Sequence, residues 1–145
     1  MVKTGFLDSL VSPMKEIGLI KTDGYGLLAE VIIGGQVLGV MDDFSMIQPE
    51  LILNSEPEFS HLSLEGYTWE QMFSGNPDKK KMLVRTGDWS YEAYGQIISI
   101  KPVVADFGII VLELGDFTND ERCIGEWIVE KIDRLDLTFR TKSNG

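Results

Sequence analysis

The chain has 145 residues, a formal net charge of −10 and 43% hydrophobic residues, which is the size and make-up of one ordinary globular domain able to bury a core without staples. Its single cysteine, Cys123, excludes an intrachain disulfide and any multi-cysteine zinc site, and its single histidine, His61, excludes every metal site that needs two imidazoles. The start, MVKTGFLDSLVSPMKE, is interrupted by Asp8, Ser9 and Ser12 and lacks the continuous apolar region of a secretory signal. No run approaches the ~18 apolar residues a membrane helix needs, so a soluble, cytoplasmic protein is expected.

In chain order, Thr4 to Met14 has helical spacing, with Phe6, Leu7, Leu10, Val11 and Met14 on one face, Thr4 as N-cap, and Pro13 and then Gly18 as the stop. Lys21-Thr22-Asp23-Gly24 reads as a turn. Tyr25 to Val40 reads as a hairpin, because Gly34-Gly35 between two apolar runs suits a tight turn whose central residues need positive φ. Met41 to Gly66 is irregular: Pro49 and Pro57 divide it, leaving Leu51-Ile52-Leu53 and Leu62-Ser63-Leu64 as short candidate strands confined to edges. Thr68 and Gln71 have the spacing of a capping box, which predicts a small helix carrying Trp69, Met72 and Phe73 on one face and ending at Gly75 to Pro77. Lys79-Lys80-Lys81 follows on a loop or strand edge, where three lysines discourage sheet-to-sheet pairing.

The densest apolar stretch is Tyr94 to Leu114, rich in the β-branched residues that fit a pleated surface. Met82 to Arg85 and Tyr91 to Ile100 predict a second hairpin around Thr86-Gly87-Asp88. Val103 to Ala105 and Ile109 to Leu114 predict a third around Asp106-Phe107-Gly108. Residues 124–135 fit a helix through Ile124, Trp127, Ile128, Ile132 and Leu135. The alternation of Leu135, Leu137 and Phe139 with Asp136, Thr138 and Arg140, and Gly125 at the start, favour strand instead. The tail from Thr141 reads as frayed.

These elements predict a single mainly β domain spanning 1–145, an antiparallel barrel or sandwich of about seven strands with one or two short helices. Gly95 to Leu114, with its Asp106-Phe107-Gly108 corner, faintly resembles the first strand pair of OB-fold barrels of the S1 type. That resemblance spans ~20 residues of hairpin grammar and implies an OB-like barrel. Such modules bind nucleic acid through a basic groove and exposed aromatics, and the charge of this chain has the wrong sign for that.

No motif for catalysis stands out. His61 lies near Ser60 and Ser63, but no G-x-S-x-G elbow is present. Cys123 sits where a buried small hydrophobe is expected. Asp116, Asn119, Asp120 and Glu121 crowd one loop, but without EF-hand spacing they read as a polar turn. No cofactor or metal is expected, and the protein reads as non-enzymatic.

The charge distribution is the strongest functional sign. From Thr22 to Asp78 there is no Lys or Arg, and ten acids fall there, while the other 13 acids match all 13 bases. A directed negative field repels nucleic acid and anionic membrane and attracts cationic partners. Phe44, Met46, Phe59, Tyr67, Trp69, Met72 and Phe73 lie in the same segment, either as core under solubilising acids or as anchors ringed by carboxylates. The leading expectation is an acidic protein-binding module, such as an immunity-type inhibitor of a basic nuclease or toxin. Its contact residues would be Asp42, Asp43, Glu56, Glu58, Glu65, Trp69 and Glu70. One alternative is a small-molecule-binding barrel or enzyme with a pocket in the barrel mouth near Trp89, Tyr91 or Tyr94. Another is a structural subunit that pairs with itself through an uncovered strand edge.

Overall fold

A computed structural model of the chain describes residues 17–22, 28–41 and 55–141. Within them lie ten strands and one α-helix: β1 (Ile17–Thr22), β2 (Leu28–Ile33), β3 (Gln36–Met41), β4 (Ser55–Leu62), α1 (Trp69–Ser74), β5 (Met82–Arg85), β6 (Tyr91–Ile100), β7 (Val103–Asp106), β8 (Val111–Gly115), β9 (Trp127–Ile132) and β10 (Arg134–Thr141). The protein is mainly β, as its β-branched runs require, and its curled sheet forms a half-barrel. The strands exceed the seven expected because β1 and β4 carry no clear strand pattern in the sequence and the last expected strand is two, β9 and β10.

One sheet runs β1-β2-β3-β10-β4, and the other runs β5-β6-β7-β8 with β9 on the opposite side of β6. Gly34 and Gly35 turn the β2–β3 hairpin with φ of 57° and 82°, the conformation that hairpin twist demands and that only glycine adopts freely. The second predicted hairpin is present as β5–β6, with Arg85 opposite Tyr91. The third is β7–β8, where the Gly108 N–H donates to Asp106 Oδ1 (2.9 Å) and the Phe107 N–H to the Ile110 carbonyl (2.9 Å). A further hairpin, β6–β7, turns through a cis Lys101–Pro102 bond.

The C-terminal region is strand, as the alternation favours, but as two strands rather than one. β9 pairs with β6, the chain bends at Asp133, and β10 enters the other sheet beside β4. A strand that changes sheets at a bend makes a corner between two layers. β10 also meets β3 in one parallel pairing, Asp136 with Met41, the single departure from an otherwise antiparallel set among the described residues. Side chains complete the curl on the far side: Gln36 Nε2 donates to the Leu83 carbonyl (3.0 Å), and Arg85 pairs with Glu30 (2.8 Å).

Several sequence expectations are corrected. Leu62-Ser63-Leu64 is not a strand; Ser55–Leu62 is, and Ser63 and Leu64 follow it. Pro57 lies inside that strand, opposite Phe139, and is tolerated because β4 is the last strand of its sheet. Gly18, expected to stop a helix, lies in β1, and so do Lys21 and Thr22, expected in a turn. The predicted helix Thr4 to Met14 and the strand Leu51-Ile52-Leu53 fall outside the described residues.

Inward residues of both sheets share one core. Ala29, Val31, Leu38 and Val40 come from β2 and β3; Tyr91, Ala93, Ile97, Val103, Ala105, Leu112, Ile128, Ile132 and Leu135 come from β6 to β10. Phe107 is wholly buried with its ring against Gly95, so the corner that resembles S1 barrels supplies a core ring and not a base-stacking platform.

Candidate functional site

The capping box is present as the sequence predicts. Thr68 Oγ1 accepts from the Gln71 N–H (3.2 Å), and Gln71 Oε1 accepts from the Thr68 N–H (2.8 Å). The helix it starts has six residues and cannot bury all of its apolar face. Met72 turns into the protein, Phe73 is half-buried, and Trp69 stays 52% exposed. Trp69 is held by rings. Its centroid is 4.6 Å from that of Phe73, tilted by 32°, and 5.8 Å from that of Phe117, edge-on at 84°. Those separations are within the range of favourable aromatic pairs. Phe117, itself 36% exposed, comes from the loop after β8.

The segment leading into α1 is pinned to β9 and the bend after it. Ser63 Oγ donates to the Lys131 carbonyl and the Leu64 N–H to Asp133 Oδ2 (2.6 Å), and the Tyr67 hydroxyl donates to Glu92 Oε2 (3.2 Å). Tyr94 donates to the other oxygen of Glu92 (2.9 Å). Burial, with the Glu92 carboxylate beside it, pushes the Tyr67 phenol up. The pinned path leaves Leu64 74% exposed and sets Glu65, Trp69 and Glu70 in succession on the surface.

Of the expected contact residues, Glu65, Trp69 and Glu70 therefore share this path. Glu58 is exposed on β4, opposite Thr138. Glu56 lies in the same strand, opposite Arg140. Asp42 and Asp43 fall outside the described residues, as do Phe44 and Met46. Among the other expected anchors, Phe59 and Tyr67 pack against the core and Met72 belongs to it, which leaves Trp69 and the flank of Phe73 uncovered. Phe117, the third ring, was missed in sequence because it stands alone in a polar loop.

Beneath this path Glu130 is almost fully buried, opposite Ala93 in the β6–β9 pair and below Gly66. Its Oε1 accepts from the Lys131 N–H (3.0 Å), and no cation pairs with it among the described residues. Burial pushes its carboxyl above the usual 4.5, against the smaller opposing pull of the Lys131 N–H. A raised carboxyl pKa favours the fold below the unfolded-state value, and that contribution is lost as pH rises through the folded-state value. Glu130→Gln should therefore unfold like the wild type near pH 4 and be more stable than it by on the order of 1 kcal/mol at neutral pH. Thermal melts across that range read the difference, and a gap that fails to widen with pH contradicts the account.

The loop of oxygen-bearing residues after β8 is occupied internally. Asp120 caps the short 3-10 turn Glu121–Cys123 and grips Arg122 through both carboxylate oxygens, which holds its pKa down to about 2. No group of three or more His, Cys, Asp or Glu suited to a metal occurs among the described residues. Cys123 is buried beside Thr118. Of the residues expected near a barrel-mouth pocket, Trp89 is partly buried and Tyr91 is 1% exposed, its hydroxyl donates to the Gly39 carbonyl (2.7 Å), and burial raises its pKa to about 12. Tyr94 instead faces Lys80, whose ammonium lies 5.7 Å from the ring centroid. No helix among the described residues is long and apolar enough to cross a membrane. No protein-family description matches the chain, and neither does any curated protein or solved structure.

Proposed function

We propose that this protein is a non-enzymatic protein-binding module, and that its contact surface is the ring cluster of Trp69, Phe73 and Phe117 with the acids around it. The observation that carries this reading is Trp69. A large ring fixed by two others yet half open to solvent is costly to leave bare, and rigid exposed aromatics are the residues that anchor interfaces. Glu65 and Glu70, near Trp69 in sequence, and Asp116, next to Phe117, are all exposed, and an acidic rim about the rings follows from their nearness along the chain. A cationic protein is the partner such a rim would steer, and an inhibitor of a basic nuclease or toxin is the concrete form.

Rim charges act mainly on association rate, and anchor rings act on lifetime. Replacing Glu65 and Glu70 by lysine is expected to slow association with a captured partner by about tenfold at low salt, with the gap closing as salt screens the field. Stopped-flow association at two ionic strengths measures this. Equal rates for the two proteins at low salt would contradict the steering role.

A further inference from the structure

Next to Phe73 the surface dips into an open hollow of about 410 Å³ whose lining includes Phe73, Ser74, Lys79, Gly125, Glu126 and Trp127. We propose that this hollow binds a small aromatic α-amino acid, or a molecule with the same pairing of carboxylate, ammonium and ring.

The first support is Lys79. Six described residues have positive φ; five are glycines and the sixth is Lys79, at 55°. An L side chain costs energy there that glycine avoids, so a lysine at such a position is a candidate for a side-chain role. Its neighbours are engaged: Lys80 reaches Asp78 at 4.0 Å and the Tyr94 ring, and Lys81 reaches Asp106 at 3.0 Å and the Trp127 ring at 5.8 Å. Lys79 alone of the three has no carboxylate or ring partner among the described residues, and it lines the hollow.

The second support is the lining chemistry. Two rings, Phe73 and Trp127, are in the lining, each already against one neighbour (Trp69 at 4.6 Å and the Lys81 ammonium at 5.8 Å), and a planar apolar group can pack beside them. The rim carries one charge of each sign, Lys79 and Glu126, which suits a zwitterion: carboxylate toward Lys79, ammonium toward Glu126. The third support is rigidity. The Ile97 N–H donates to the Glu126 carbonyl (2.9 Å) and the Gly125 N–H to the Ile97 carbonyl (2.8 Å), while Gln96 Nε2 donates to the Gly125 carbonyl (3.1 Å). The Lys79 N–H donates to the carbonyl of the buried Asn76 (3.2 Å). Walls fixed before the ligand arrives lower the cost of binding it.

The test is a titration of the whole chain with L-phenylalanine, followed by amide and indole NMR signals. An open site of this size should saturate with a Kd on the order of 1 mM. Shifts should centre on Lys79, Gly125 and the Trp127 indole, and hydrocinnamate and phenethylamine, each lacking one charge, should bind several-fold more weakly. Lys79→Gly is the decisive variant, because it relieves the backbone cost. It should melt at a higher temperature and bind about fivefold more weakly, so lost binding cannot be ascribed to lost folding. No saturable shift at the hollow, or equal binding by Lys79→Gly and wild type, would overturn the proposal. Phe73 is common to both, but neither result bears on the ring cluster as a protein-contact surface, which is read by a different partner and through Trp69.

Discussion

Gly39→Ala is expected to cost about 3–5 kcal/mol, among the largest effects a single methyl can have in this protein. Gly39 lies in β3 between two wholly buried neighbours, Leu38 and Val40, and opposite Glu30 in β2. A Cβ built there would run into the Asp88 carbonyl and the Arg85 guanidinium. Arg85 is not free to swing away. It holds Glu30 (2.8 Å) and donates to the carbonyls of Gly87 (2.9 Å) and Asp88 (2.7 Å), and the Tyr91 hydroxyl closes on the Gly39 carbonyl itself. The β5–β6 turn is thus seated on bare backbone, and a methyl would lift it off. Shortening Arg85 in addition should recover only part of the loss, since the Asp88 carbonyl is backbone and remains. Urea unfolding measures both variants. A loss below about 1 kcal/mol for Gly39→Ala would mean that the two sheets are not docked as described.

Asn76→Ala is expected to cost about 2–4 kcal/mol and lower the thermal midpoint by roughly 10 °C. Asn76 is 4% exposed, and its side chain joins three pieces of chain. Its Nδ2 donates to the carbonyls of Lys80 (3.0 Å), Ile128 (3.1 Å) and Gly95 (3.3 Å), and its Oδ1 accepts from the Lys80 N–H (2.8 Å). Truncation leaves the Lys80 N–H without its acceptor and frees the turn after α1 from β6 and β9. Asn76→Asp sharpens the test. An ionised carboxylate would face three carbonyl oxygens, so it should be worse than alanine at neutral pH and better as acid protonates it. If the aspartate variant matches wild type at neutral pH, the amide is not the staple.

Much of the fold was legible because local chemistry and global architecture agree. Gly34-Gly35 between apolar runs could turn only one way, and Thr68 with Gln71 marked a helix start that is present down to both hydrogen bonds. The alternation at Leu135, Leu137 and Phe139 chose strand over helix correctly, but periodicity could not reveal the bend at Asp133 that passes the chain from one sheet to the other. β4 was misread because Pro57 signals a break unless the strand is known to be an edge, and edges are set by the whole sheet. β1 carries Gly18 and Lys21 among its residues, which hid its pattern.

The candidate site was legible only in part, for the same reason. Glu65, Trp69 and Glu70 lie close in sequence, and all three are exposed on the path into α1. Helical spacing put Trp69 on the same face as Met72 and Phe73 but could not say that a six-residue helix would leave it half bare. Phe117 joins from 48 positions away through a contact between rings, and Lys79 becomes notable only once its backbone angle is known.

The measurement that bears most directly on the ring cluster as a contact surface is a pull-down from native lysate, run in parallel with wild type and Trp69→Ala and eluted by a salt gradient. Trp69→Ala should melt several degrees below wild type, because it gives up two ring contacts, yet stay folded at the temperature of the pull-down. The wild type should retain a basic protein that leaves as salt rises, and Trp69→Ala should lose it almost completely. Retention of the same protein by both, at the same salt, would contradict the account.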